Sequence, residues 1–232
     1  MTADGHPARE GATGRELLDR DPAHAARGLL GALLVSDLGE RVAVRITEVE
    51  AYGGVGEDPG SHAHRRLTRR NATMFGPVGH AYVYFTYGMH WCLNVVAHEP
   101  GRAGAVLIRA GEVTVGVAAA RTRRPAARVD RDLARGPARL AAALGVTGTQ
   151  DGTDLLDPGG PLRLEPQGTQ SSDAEVSAGP RTGVAGSGAG TPWRFWLADE
   201  PTVSPHRPAT PRRPHRPSTQ NGSRIAGTPT NE

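Results

Sequence analysis

The sequence contains no lysine, so all 27 of its Lys-or-Arg positions are arginines. A lysine amine is required for Schiff-base catalysis and for the phosphate grip of a Walker-type loop, and the sequence excludes both. The single cysteine, Cys92, excludes an internal disulfide, an iron–sulfur cluster and any zinc site built from several cysteines. We therefore expect no cofactor.

Aromatic residues and long apolar runs are also scarce. Only 4% of the residues are aromatic, and no apolar run approaches the roughly 20 residues that a membrane helix needs. The first twenty residues lack the apolar segment of a secretory signal. With 31 glycines and 19 prolines in 232 residues, loops and tails should surround one folded domain. These features predict a cytoplasmic protein that does not bind membranes.

The positive charge is unevenly distributed along the chain. Residues 201–232 carry a formal charge of +4, which leaves about −1 for the rest of a chain whose net charge is +3. Two clusters of arginines lie within that rest. They are Arg65, Arg66, Arg69 and Arg70, and then Arg121, Arg123, Arg124 and Arg128. They are either solvated loops or a surface that follows a phosphate backbone, and both interpretations stay open here.

Turn residues and apolar alternation predict a mixed α/β fold. Helices should begin at Asp21-Pro22 and Gly136-Pro137 and end near Gly31 and Gly145. Strands are predicted at 32–36, 41–52, 103–109, 161–164 and 192–197, with a hairpin over 81–96. The domain should span 15–204, between disordered ends at 1–14 and 205–232, and the Gly/Ser/Thr-rich segment 167–191 should be mobile.

Two carboxylates stand on the second predicted strand. Glu48 and Glu50 are two residues apart, so both side chains point to the same face. A strand that buries one face seldom places two carboxylates there without a partner or a task, although a solvent-facing pair is the alternative. The strand ends directly afterwards, so Glu50 and Tyr52 lie beside the long loop 53–73. We therefore predict a functional site at this end of the strand.

The long loop 53–73 carries Asp58, His62, His64 and the first arginine cluster. Loops of this length inside a compact domain tend to be functional. A metal ion would need a third ligand, and none stands at motif spacing from the two histidines. The pattern favours histidines that hydrogen-bond or stack, and no metal site is predicted.

The hairpin candidate contains three of the four tyrosines. A well-packed aromatic hairpin is one explanation. Tyr87, however, stands at the turn, where a core residue is not expected. An exposed aromatic side chain near clustered arginines suits insertion between stacked bases.

The register of this hairpin decides which side chains share a face. A two-residue turn would place Tyr84 and Asn94 on opposite faces of the hairpin. A three-residue turn pairs Thr86 with His90 and places Tyr84 and Asn94 on one face. If both side chains line one pocket, the longer or bulged turn is predicted.

Distinctive short stretches follow one another along the chain, at 48–52, 61–63, 68–71, 74–77, 82–94, 106–110, 135–140 and 192–196. In this order and spacing they resemble the alkyladenine (3-methyladenine) DNA glycosylase family, in its bacterial form. The resemblance covers about residues 14–207, and no single stretch would carry it alone. His90-Trp91 departs from the aromatic pair of mammalian members. The loop after Tyr52 is a residue longer, which leaves the role of Asp58 open.

The resemblance implies roles for a base pocket. Glu50 matches the general base that orients and deprotonates the attacking water. Tyr52, His62 and Tyr84 match the residues that enclose the extruded base. Asn94 matches the residue that penalises the exocyclic amine of normal guanine.

The resemblance also implies contacts with DNA. Tyr87 matches the side chain that wedges into the duplex, and Arg109 matches an arginine near the water and the phosphate backbone. Arg139 stands at a position used for backbone contact, and we assign Arg69 and Arg70 to the same surface.

The implied fold is a single α/β domain with a curved, mostly antiparallel sheet, surrounding helices and a protruding, DNA-intercalating hairpin. The implied function is base-excision repair of alkylated or deaminated purines in double-stranded DNA, by a monomer in the nucleoid. Without lysine we expect hydrolysis and no lyase activity. Two alternatives stay open: a non-catalytic duplex-binding module in which Glu50 is structural, and a hydrolase of free nucleosides, which would not need Tyr87 at a tip.

Overall fold

The computed structural model describes residues 14–165 and 175–209, and these form a mixed α/β domain. Its helices are α1 (Gly14–Leu18), α2 (Pro22–Leu29), α3 (Val117–Arg123) and α4 (Pro137–Leu144). Its strands are β1 (Leu33–Ser36), β2 (Val42–Tyr52), β3 (Ala81–Thr86), β4 (His90–Val96), β5 (Ala105–Val115), β6 (Leu162–Glu165), β7 (Val176–Gly179) and β8 (Arg194–Leu197). Short 3₁₀ turns connect some of them.

The strands form one antiparallel sheet that curls into a half-barrel, in the order β3-β4-β5-β2-β1-β6. β2 is central, and β5 covers one of its edges. The other edge changes neighbour, because β1 pairs with its first half and β8 with Glu48 to Glu50. Register shifts along β2 bend the strand. The single domain with a curved antiparallel sheet is therefore confirmed.

The two predicted helices are present for the predicted reasons. The side chain of Asp21 accepts hydrogen bonds from the first turn of α2, whose buried side packs on β2. α4 begins at Pro137, packs on β4 and β5, and ends at Gly145, whose φ of +73° suits glycine. α1 and α3 were not predicted, and β5 runs six residues beyond the predicted end of its strand.

A small apolar cluster supports the far end of β2. It contains Ala63, Met74, Tyr82 and the start of β5, and Tyr52 and Tyr84 pack against it. The main core lies elsewhere, between the sheet and α2 and α4. The aromatic side chains predicted for the site are therefore anchored in a cluster of their own.

The second arginine cluster is largely structural. Arg123 donates to the backbone oxygens of Ala143 (3.0 Å), Leu38 (2.9 Å) and Glu40 (2.7 Å), which ties α3 to its neighbours. Arg121 pairs with Asp130 at 2.7 Å. These contacts do not support a phosphate-following surface for this cluster.

Several predictions concerned segments near the chain ends and residues 167–191. The disorder predicted for 1–13 and 210–232, and the mobility predicted for 167–174, lie outside the described residues. Residues 175–191, the other part of the segment predicted to be mobile, contain β7 and a 3₁₀ turn. Within 14–165 and 175–209, no helix is long and apolar enough to cross a membrane.

Candidate active site

Glu50 is fully buried near the end of β2. Its Oε1 accepts a hydrogen bond from the backbone N–H of Thr182 at 2.6 Å. Its Oε2 accepts one from the Tyr52 hydroxyl at 2.7 Å and lies 3.1 Å from Nη1 of Arg109. A carboxylate offers about four acceptor positions, so these three donors leave room for one more. The solvent-facing alternative for this carboxylate is wrong.

Glu48 lies on the same face of β2, because Arg109 contacts both carboxylates. Nε of Arg109 donates to Oε1 of Glu48 at 2.8 Å. Burial alone would raise the pKa of Glu48, but Arg109 and Arg194 outweigh it and lower that pKa. Burial alone would lower the pKa of Arg109, but Glu50 and Glu48 outweigh it and raise that pKa. Arg109 is thus buried between the carboxylates of Glu48 and Glu50 and contacts both.

A cavity of about 380 Å³ opens beside Tyr52, a volume within the ~300–1,000 Å³ typical of small-molecule pockets. Its lining includes Tyr52, His62, Tyr84, Asn94 and Tyr87. The structure therefore brings the predicted base-pocket residues together. Met74, Tyr82, Thr86 and residues 182–185 complete much of the wall. Glu50 lies directly behind Tyr52 and the backbone of Thr182.

The aromatic walls are held by their own contacts. The rings of His62 and Tyr84 meet nearly edge-on, with centroids 4.6 Å apart, and Nδ1 of His62 lies 2.8 Å from the hydroxyl of Tyr82. Burial, together with the charge of Glu50, raises the pKa of Tyr52 well above its usual value, and burial also raises the pKa of Tyr84. Desolvation and the nearby Arg70 lower the pKa of His62. The walls are therefore neutral near pH 7.

The hairpin has the register of the three-residue turn. Thr86 pairs with His90, so Tyr84 and Asn94 share a face and both line the cavity. Asn94 is buried, and its Nδ2 donates to the backbone oxygen of Tyr82 at 2.9 Å. That bond fixes the amide plane against the cavity.

Tyr87 stands at the tip of the hairpin, with 87% of its surface exposed and a φ of +51°. Arg70 reaches this hairpin, since its Nη2 donates to the backbone oxygen of Phe85 at 3.1 Å. Arg69 is exposed on the same loop. Arg139 is exposed on α4 and does not line the cavity, so the structure does not bring it to the other site residues.

The family model of methylpurine-DNA glycosylase matches residues 16–201. The chain belongs to this family. A protein of Streptomyces avermitilis named "Putative 3-methyladenine DNA glycosylase" is 55% identical over 201 residues, which cover 86% of this chain and 93% of that protein. Proteins of the same name from Nocardia farcinica and Leifsonia xyli are 53% and 51% identical, cover 84% of this chain, and are themselves covered over 91% and 92%.

Membership of the methylpurine-DNA glycosylase family makes the chain a DNA glycosylase, a hydrolase of N-glycosidic bonds that acts on DNA. The resemblance drawn from the sequence is therefore confirmed. Family membership also disfavours both a non-catalytic module and a hydrolase of free nucleosides. In the described residues of this glycosylase, no three His, Cys, Asp or Glu side chains are placed to hold a metal ion.

Two parts of the candidate site were not predicted from the sequence. Tyr82 orients His62, and its position two residues before Tyr84 on one strand was the available signal. Arg181 pairs with Asp58 through both oxygens, at 2.5 and 2.7 Å, and its guanidinium lies 4.7 Å from the ring centroid of Tyr52. Burial would raise the pKa of Asp58, but Arg181 outweighs it and lowers that pKa. Asp58 thus clamps the loop 53–73 to the opposite wall of the cavity through its ion pair with Arg181.

Proposed function

We propose that this glycosylase flips alkylated or deaminated purines out of duplex DNA and hydrolyses their N-glycosidic bond with water activated by Glu50. The substrates are of the 3-methyladenine, 7-methylguanine and hypoxanthine type, and the names of the relatives support the first of these. The observation that carries the proposal is the place of Glu50. It lies behind two cavity-lining residues and keeps one acceptor position for a water.

Recognition of a cationic base follows from the neutral aromatic walls. Alkylation at N3 or N7 makes a purine cationic, and a cation between Tyr52 and Tyr84 gains about 0.5–2 kcal/mol that a neutral base does not gain. The lowered pKa of His62 keeps its ring neutral, so it does not repel that cation. Asn94 supplies the polar group that penalises the exocyclic amine of guanine.

Hydrolysis breaks the bond between the purine nitrogen and the C1′ atom of the sugar. A cationic alkylated purine takes the bonding electron pair and leaves as a neutral base, whereas neutral hypoxanthine also takes up a proton from water as it leaves. The sugar passes through an oxocarbenium-like state that the carboxylate of Glu50 stabilises. The oxygen of the attacking water bonds to C1′, and one of its protons passes to the carboxylate. Because the sequence has no lysine for a Schiff base, the product is an intact abasic site.

The exposed hairpin supplies the flipping step. Extruding a base costs a few kcal/mol, and less for a damaged or mispaired one. Tyr87 fills the space that the base leaves, while Arg69 and Arg70 contact the phosphates. That the enzyme acts as a monomer on nucleoid DNA stays a prediction.

The test is Glu50→Gln, assayed for single-turnover release of hypoxanthine and of a methylpurine from duplex DNA. General-base catalysis contributes about 10²–10⁴-fold, so we expect a rate loss of that size with lesion binding retained. The matched control is Glu112→Gln, which makes the same change on the exposed part of β5 and should leave the rate unchanged.

Each contrary result has a distinct meaning. Full activity of the Glu50→Gln enzyme removes the carboxylate from its role. Lesion binding without base release by the wild-type chain would favour the non-catalytic module. Release from free nucleosides at a rate insensitive to salt would favour the nucleoside hydrolase, because duplex binding weakens steeply with salt. A borohydride-trapped covalent complex through an internal side chain would contradict the monofunctional mechanism.

A further inference from the structure

The segment that follows β8 closes the buried side of the site. Thr202 and Ser204 are buried there, just past residue 201, where the match to the family model ends. Thr202 shares a hydrogen bond with Thr47 of β2 at 2.9 Å. Further on, the backbone oxygen of Arg207 accepts a hydrogen bond from the N–H of Gly183, a residue that lines the cavity. Residues 202–207 form a strap from the carboxylates of β2 to the cavity wall.

Ser204 uses each of its polar groups in this strap. Its backbone N–H donates to Oε2 of Glu48 at 2.6 Å, and its hydroxyl donates to Oε1 at 3.0 Å. The same hydroxyl oxygen accepts from Nη2 of Arg109 at 3.3 Å. Its backbone oxygen accepts from Nη2 of Arg194 at 2.8 Å. An ordinary buried serine satisfies one or two groups, whereas this one joins a carboxylate to two arginines.

Glu48 is bonded to residues that do not line the cavity. Its Oε1 accepts from Nε of Arg109 at 2.8 Å, from Nε of Arg194 at 2.7 Å and from the hydroxyl of Ser204, and its Oε2 accepts from the N–H of Ser204. Glu50, in contrast, is bonded to two cavity-lining residues. We therefore assign the activation of water to Glu50 and the holding of the arginines to Glu48.

The planar guanidinium of Arg109 links Glu48 and Ser204 to Glu50. Its Nε is fixed by Glu48 and its Nη2 by Ser204. Because the guanidinium is rigid, fixing two of its nitrogens fixes the third. That third nitrogen, Nη1, lies 3.1 Å from Oε2 of Glu50.

We propose that Ser204 is a positioning residue for hydrolysis, which acts through Glu48 and Arg109 to hold Nη1 of Arg109 on Glu50. This inference rests on the proposed function of Glu50. Ser204 does not line the cavity. Its loss should therefore slow bond cleavage and leave lesion binding unchanged.

The test compares Ser204→Ala with Thr202→Val in the full chain. Both remove a buried hydroxyl from the strap, but only the first touches Glu48 and Arg109. Hydrogen bonds to charged groups predict a 10- to 100-fold lower single-turnover rate, at about the wild-type Kd, for Ser204→Ala. Thr202→Val should keep the wild-type rate. Where Ser204→Ala does not fold, Ser204→Cys replaces it, because a thiol keeps the shape but is a weak donor.

Three results would overturn the inference. One is a Ser204→Ala rate within about twofold of the wild type. The second is an equal loss of rate in Thr202→Val, and the third is a loss of rate matched by an equal loss of lesion binding; each of the last two indicates general destabilisation. Base release that the wild type performs and Glu50→Gln abolishes keeps the proposed function intact in all three cases. If the wild type releases no base, both proposals are wrong.

Discussion

Replacing Asp58 by asparagine removes one partner of a buried ion pair. The side chains of Asp58 and Arg181 are 1% and 0% exposed, and the carboxylate also accepts from the backbone N–H groups of Gly53 (3.1 Å) and Gly60 (2.9 Å). In Asp58→Asn the guanidinium keeps its charge in the interior but loses the opposing charge. The clamp between the loop and the opposite cavity wall is then weakened.

The expected loss of stability can be compared with the loss for an exposed ion pair. Removing one partner of a buried pair costs about 3–5 kcal/mol, whereas exposed pairs contribute about 0–1 kcal/mol. At roughly 2–4 °C per kcal/mol for a domain of this size, the Tm should fall by about 6–20 °C. Urea and thermal unfolding followed by circular dichroism measure this. Asp130→Asn is the control, since its partnership with Arg121 has 54% of each side chain exposed. Equal losses in the two variants would refute the reasoning.

The difference in stability between the wild type and Asp58→Asn should change with pH in a defined direction. The folded pKa of Asp58 is depressed, so its stabilising effect is fully present above the unfolded pKa, near 3.9, and is lost as pH falls through the lower folded value. The stability gap between the wild type and Asp58→Asn should therefore narrow on acidification below about pH 4. A gap that stays constant or widens there would contradict the assignment.

The remaining predictions concern the residues that we expect to contact DNA or the extruded base. Tyr87→Ala should raise the Kd for a lesion duplex by about 5- to 150-fold, from a stacking contribution of about 1–3 kcal/mol, and an unchanged Kd in a fluorescence titration would count against the wedge. Asn94→Ala should release undamaged guanine while still releasing hypoxanthine, and strict rejection of guanine in a base-release assay would remove Asn94 from its role. Replacing Arg69 and Arg70 together by glutamine should reduce the slope of log K against log salt by about 2, whereas Arg121→Gln should leave the slope unchanged. Equal slopes in the two variants would mean that Arg69 and Arg70 do not contact the phosphates.

The helices and strands that were predicted from the sequence contain recognisable signals within their own residues. α2 and α4 begin at proline and end where the chain turns, and β2 shows alternation in its own residues. β7 and the end of β5 lack such signals. β7 has four residues and pairs with β8, and the extension of β5 pairs with the first half of β2. Tertiary pairing stabilises segments whose local preference is weak.

The same difference between local and long-range signals explains which residues of the candidate site could be predicted from the sequence. Glu50 and Tyr52, and likewise Tyr84 and Tyr87, lie close enough in the chain for strand and turn geometry to group them. Arg181 lies 123 residues from Asp58, and Ser204 lies 156 residues from Glu48. Strand periodicity carries no information across such distances, and neither residue stands in a recognisable motif. Only the folded chain shows that both belong to the site.

The change of neighbours along one edge of β2 means that the half of the strand with Glu48 and Glu50 gains its second partner strand only after β8 has been made. A nascent chain that ends at β6 can pair β1, β2 and β5, but the half of β2 with Glu48 and Glu50 still has an open edge. Arg194 and Ser204, which bond to Glu48 in that half, follow β7 in the chain. The hairpin that we expect to intercalate is complete long before them. A ribosome-bound or prematurely terminated chain can therefore possess the part that we expect to touch DNA without the bonds that hold Glu48 and Arg109 beside Glu50.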